Sequence, residues 1–294
     1  MLVKLPFKGQ VVYSKAPRLA NRAEMWSATA KDFPHSPRGG RCNRVHSILV
    51  PRMKHARSIF VIVLASWLVL TTSAITIFVW QNHRARAVIG MGWGLILLWI
   101  FLGGLLMHGF REPIRVAVAR IGLDWRLKFI LFATTLALIE EAITTTMTNM
   151  APLFGVKVGE AYITASANYL EVVVLHSVVP FIGLFIGWAV ILWRYNFSPF
   201  AVFLLFGLTG TLAEMTFGPQ HAREFGLWIF VYGLMVYLPA FCVPTDRQAR
   251  VPRWWHYPLA VVVPFLFVPI NPLIWISGLL SPHHLKVHFP PIGG

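Results

Sequence analysis

Glu140 and Glu141 lie side by side in LALIEEAITTTMTN, a run that is otherwise apolar or hydroxylated. Carboxylates in such a place can ligate a divalent metal, activate water as general bases, or carry protons and cations. Each of these jobs needs partners. The segment NYLEVVVLHSVVPFIGLFIGW supplies His176, and LLFGLTGTLAEMTFG supplies Glu214. His221 and Glu224 follow soon after, and Asn271 sits among the prolines of VVVPFLFVPINPLIW.

Helical spacing groups several of these residues. Thr134, Glu141, Thr145 and Thr148 recur at intervals of seven, four and three, which is one helix face. Glu140 lies about 100° round, beside Thr144, and Asn149 closes the seam. Threonines alone read as helix-to-helix glue; two acidic neighbours do not. His176, Gly183 and Gly187 also share a face, and the two glycines form a GxxxG surface for close approach of another helix. Pro264, Pro269 and Pro272 interrupt any helix through Asn271, as happens where backbone lines a cavity or is buried in protein.

The elements that position these groups follow from composition. The chain is 56% hydrophobic and only 13% charged, and its apolar residues come in long blocks rather than stripes. A globular soluble domain carries about 25% charged residues. Runs of about 20 apolar residues cross the hydrocarbon core of a bilayer. The reading is an all-α polytopic membrane bundle of about seven helices, at 58–80, 87–110, 128–150, 168–194, 198–218, 224–243 and 257–280. The connecting segments alternate in charge. Residues 1–57, 111–128 and 245–253 hold most of the Lys and Arg, which places the N-terminus in the cytoplasm and the C-terminus outside. The acidic pair then falls between mid-depth and the outer third, as do His176, Glu214 and Asn271. The expected location is the inner or plasma membrane.

Three flanking regions complete the plan. Residues 1–57 are basic and aperiodic and read as a disordered cytoplasmic tail; Met53 opens a charged-then-apolar run that would itself serve as a start. Residues 281–294 form a short outer tail, in which His284 and His288 have metal-like spacing but a solvated tail is the blander account. Within 111–127, Ile114, Val118, Ile121 and Trp125 recur at helical spacing, with Arg115, Arg120 and Arg126 elsewhere. That pattern suits an interfacial amphipathic helix on anionic inner-leaflet lipids, with an ordinary loop as the rival reading. The net charge of +15 follows from such membrane-facing segments, so no nucleic acid partner is expected. Cys42 and Cys242 imply no disulfide framework.

EEAITT (140–145), VVVLH (172–176) and HAREF (221–225) resemble the glutamate pair and the two histidine motifs of the CAAX-protease and bacteriocin-processing membrane protease family. Thr145 stands where that family has Arg, Val172 where it has Phe, and HAREF lacks the polar fourth residue. The resemblance implies an intramembrane hydrolase in which Glu140 or Glu141 activates water, with His176 as a catalytic partner. The residue types themselves allow His176, His221 and Glu214 to ligate a divalent metal such as zinc, with Thr145, Thr148, Asn149 and Asn271 in support. They equally allow a proton- or cation-coupled carrier using the same groups, or a structural subunit with no catalysis.

Overall fold

A computed structural model describes residues 42–280 except Phe217. The expected outer tail 281–294, and the expected N-terminal tail as far as residue 41, lie outside the described residues. From Cys42 the backbone is helical, although 42–57 carries no apolar period.

The regular structure of the described chain is all helix, with two isolated backbone bridges, Val158 to Ala161 and Tyr195 to Arg250. The helices are α1 (Cys42–Phe78), α2 (His83–Leu95), α3 (Gly104–Gly109), α4 (Arg111–Arg120), α5 (Trp125–Asn149), α6 (Tyr169–Glu171), α7 (Val178–Arg194), α8 (Pro199–Glu214), α9 (Phe225–Phe241), α10 (His256–Val262) and α11 (Pro272–Leu280). A wide π-helical stretch, Ile96–Gly103, joins α2 to α3, and another, Val172–His176, follows α6. The apolar runs read from sequence therefore coincide closely with helical segments.

Membrane crossing is a narrower matter. Three described helical stretches are long and apolar enough to span a bilayer: Ala56–Phe78, His83–Gly109 and His221–Phe241. Two bent pairs raise the count to as many as five: Tyr169–His176 with Val178–Arg194, bent by 48°, and His256–Phe267 with Pro272–Gly278, bent by 45°. The other two segments depart from the pattern for different reasons. The 25-residue α5 carries Arg126, Lys128, Glu140 and Glu141. The 16-residue α8 rises only about 24 Å, short of a ~30 Å core.

Helix ends follow local chemistry. Asp124 caps α5 by accepting from Arg126 N at 2.9 Å, and Ser198 caps α8, with Pro199 at its first position. The amphipathic helix expected over 111–127 stops at Arg120. Ile121 is extended, and Lys128 Nζ donates to the Val118 and Ile121 carbonyls, both at 3.1 Å, satisfying the end of α4. Within α4, Arg111, Ile114 and Val118 are half-buried and the rest is exposed, which preserves the expected stripe.

Glycines set the closest helix contacts. A Cβ on Gly207 would lie 2.7 Å from Ile229 Cα and O, so α8 and α9 touch backbone to backbone. A Cβ on Gly183 would meet Val268 Cα at 2.7 Å, and one on Gly187 would meet Pro264 Cα at 2.7 Å. The GxxxG of α7 thus receives the proline-broken segment, as its spacing predicts. The main core lies among α5, α7, α8 and α9, around Trp188, Phe185, Phe206 and Met235.

One end of the bundle gathers the arginines. Arg57 lies over Phe200, and Arg111 over Phe241; Arg126 and Arg194 share Trp193, and Arg247 lies over Trp125. These contacts bring together the beginnings of α5 and α8, the ends of α7 and α9, and the loop after α9. Successive helices therefore run up and down.

Candidate functional site

Helices α5 and α8 start at the same end, and each places a glutamate at its sixteenth position. At 1.5 Å per residue, Glu140 and Glu214 reach the same height, roughly 22 Å along. At that height Glu140 lies within electrostatic range of both Glu141 and Glu214. Glu140 is 4% exposed and Glu141 7%.

The tight α8–α9 crossing supplies a fourth group. Gly210 lets the Tyr232 ring lie against α8, and the Tyr232 hydroxyl donates to Glu214, one turn further on. Tyr232 also senses the charges of Glu140 and Glu141. Its ring is fixed edge-on to Phe181 at 5.4 Å and beside Trp228 at 5.9 Å. Packing on both sides fixes the ring, so the hydroxyl is held where it donates to Glu214.

Glu141 faces the bend of the neighbouring chain segment. Ser177, the residue at the 48° break, lies near Glu141, and its Oγ donates to Val172 O at 3.3 Å. Thr144 Oγ1 lies 3.2 Å from Glu141 Oε2 and 3.1 Å from the Glu141 carbonyl. Glu140, Glu141 and Glu214 form no ion pair with Lys or Arg among the described residues. The result is three carboxyls and a phenol from α5, α8 and α9, beside a helix break.

The other expected residues have separate work. His176 is half-buried at the end of the π-helical turn, next to Ser177. His221 Nδ1 is 3.1 Å from Glu224 Oε2, three residues on, so its nearest acid is on its own turn; Glu214 lies within its electrostatic range. Thr148 Oγ1 accepts from Ile163 N at 3.3 Å, and Asn149 Nδ2 donates to Ala167 O at 2.9 Å. Those two residues fasten the 150–168 connection to α5. Thr145 is buried, and its hydroxyl makes no hydrogen bond among the described residues. Asn271 Nδ2 donates to Val179 O at 2.7 Å while its Oδ1 accepts from Leu273 N at 3.2 Å, capping α11.

A divalent ion needs three or more donors converging on a point. Among the described residues no group of three His, Cys, Asp or Glu side chains is placed to hold one, and His176, His221 and Glu214 do not gather as a set. As arranged, the donor set does not fit a bound zinc.

Sequence reasoning missed Tyr232, Ser177 and Thr144 as site members. The available signal was weak: Tyr232 is one of two hydroxyls in the apolar α9, and a hydroxyl at depth needs a partner. Comparison of the chain with family models, with curated proteins and with solved structures gave no match.

Proposed function

We propose that the chain is a multi-pass membrane carrier that exchanges a proton for a small monovalent cation at Glu140, Glu141 and Glu214. One observation carries this reading: two buried carboxyls, Glu140 and Glu141, lie within electrostatic range of the half-buried Glu214 beside a helix break, with no Lys or Arg paired to any of them among the described residues. Buried carboxylates need their charge balanced. Without a paired basic side chain, the balancing charge is a proton or a bound cation. One positive charge entering then releases one positive charge, which is the stoichiometry of exchange. Broken helices next to such a site let backbone carbonyls join the coordination in transporters. The bends at Ser177 and near Asn271 have that character.

The proposal places all seven apolar segments in the inner or plasma membrane, with the N-terminus cytoplasmic. The gathering of Arg57, Arg111, Arg126, Arg194 and Arg247 at one end supports it, since basic residues stay on the cytoplasmic side. The α4 stripe supports contact of this end with anionic lipid.

A metal-dependent hydrolase using Glu140, Glu141 and His176 is the activity implied by the motif resemblance. It takes second place because it needs a tightly held metal, and neither His176, His221 and Glu214 nor the three glutamates form such a group among the described residues, whereas proton uptake needs none.

The two separate experimentally. In proteoliposomes holding a pH-sensitive dye, an imposed sodium or potassium gradient is expected to drive proton movement, slowed at least tenfold in Glu141→Gln. Equal flux in wild type and variant sinks the carrier. Stoichiometric zinc in the purified protein, lost in Glu141→Ala and His176→Ala, would favour the hydrolase instead.

A further inference from the structure

Three arginines and two tryptophans form a continuous ladder at the basic end. Arg247 lies over Trp125, with its guanidinium carbon 5.8 Å from the ring centroid. Arg126 lies over Trp125 at 5.6 Å and over Trp193 at 4.5 Å, and Arg194 over Trp193 at 5.1 Å. The members come from the start of α5, the end of α7 and the loop after α9. Cation–π attraction holds guanidiniums in place but does not neutralise them.

The three arginines differ in what they have left to offer. Arg247 is committed to structure: Nε donates to Leu192 O at 2.9 Å, Nη1 to Pro244 O at 2.6 Å and Nη2 to Asn196 Oδ1 at 3.0 Å. Arg126 and Arg194 are exposed and pair with no carboxylate among the described residues. The nearby Asp124 accepts from the Arg126 backbone N–H as the α5 cap. Two positive forks are therefore held on one indole without a carboxylate counter-ion among the described residues.

We infer that Arg126 and Arg194, both lying over Trp193, hold the phosphate of an anionic glycerophospholipid. A phosphate accepts paired N–H bonds from two guanidiniums at once. Trp193 is 47% exposed, and a tryptophan at the end of an apolar helix sits at headgroup level. Leu127, next to Arg126, is exposed, as are Leu131 of α5 and Val190 of α7 about one turn deeper, and together they offer an apolar track for an acyl chain. The site joins α5 to α7 and is separate from the amphipathic α4, whose Glu112 already pairs with Arg115 at 2.9 Å.

Native mass spectrometry of the detergent-purified full chain tests this with three probes: phosphatidylglycerol, phosphatidylcholine and inorganic phosphate. Wild type is expected to retain phosphatidylglycerol over phosphatidylcholine, and Arg126→Gln with Arg194→Gln to lose that preference by roughly fivefold per arginine. Arg120→Gln, an exposed change on α4 outside the ladder, is expected to keep it. Circular dichroism and elution volume establish that the double variant is folded; Arg126→Lys with Arg194→Lys, which retains charge without the forks, is expected to be intermediate. Equal preference in wild type and the double variant overturns the inference. So does an equal loss in Arg120→Gln, which marks a diffuse surface charge. Displacement of phosphatidylglycerol by millimolar inorganic phosphate identifies a free anion as the occupant and overturns it as well.

Discussion

Asn271 Nδ2 donates to the Val179 carbonyl at 2.7 Å, and this bond fastens one broken helix to another beside their breaks. Val179 lies two residues past the bend at Ser177, and Asn271 lies in the gap before α11. The same asparagine caps α11 through Oδ1. Asn271→Ala removes both bonds and leaves buried backbone groups without them. A loss of about 1–3 kcal/mol is expected. Thermal unfolding in detergent measures it; an unchanged midpoint contradicts the bracing role.

The glycine contacts give a paired prediction. Gly207→Ala places a Cβ 2.7 Å from Ile229 backbone atoms, which forces α8 and α9 apart, at an expected cost of about 1–3 kcal/mol. Gly92→Ala adds a Cβ with nothing within 4 Å in the middle of α2, where alanine is the better helix former by up to about 1 kcal/mol. Unfolding midpoints should therefore move in opposite directions. Movement of both the same way would show that the α8–α9 approach is not what limits position 207.

Tyr232→Phe keeps the ring against Gly210 and Phe181 but removes the hydroxyl that donates to Glu214. Hydrogen bonds to charged groups contribute about 1.5–3 kcal/mol. The variant should unfold earlier and slow proton movement in liposomes, while Tyr237→Phe, at the basic end, should leave that movement unchanged. Equal rates in wild type and Tyr232→Phe would remove the phenol from the site.

Much of this architecture was readable from residue order, because apolar-run length and proline placement act locally. The helical class, the α7 glycine face and the break around Asn271 follow from such patterns, while three to five of the seven expected spans are long and apolar enough to cross a membrane. Burial of Glu140 and Glu141 was readable too, since paired acids in an apolar helix must face protein or water. Partner identity was not, because it depends on helix rotation and crossing. His221 turned to Glu224 on its own turn, and Thr148 and Asn149 were drawn to the 150–168 connection. Tyr232 joined the acids through a glycine-sized approach that apolarity alone does not encode. The α4 helix ended early because Lys128 and Asp124 form a cap pair that periodicity ignores.

The central claim is that Glu140, Glu141 and Glu214 share one site whose charge is balanced by a proton or a cation. Titrating sodium or potassium into weakly buffered, detergent-purified protein and counting released protons tests it most directly. The account predicts saturable release of protons from wild type, reduced in each single Glu→Gln variant and abolished when all three are changed together. Release from the folded triple variant equal to that of wild type would contradict it.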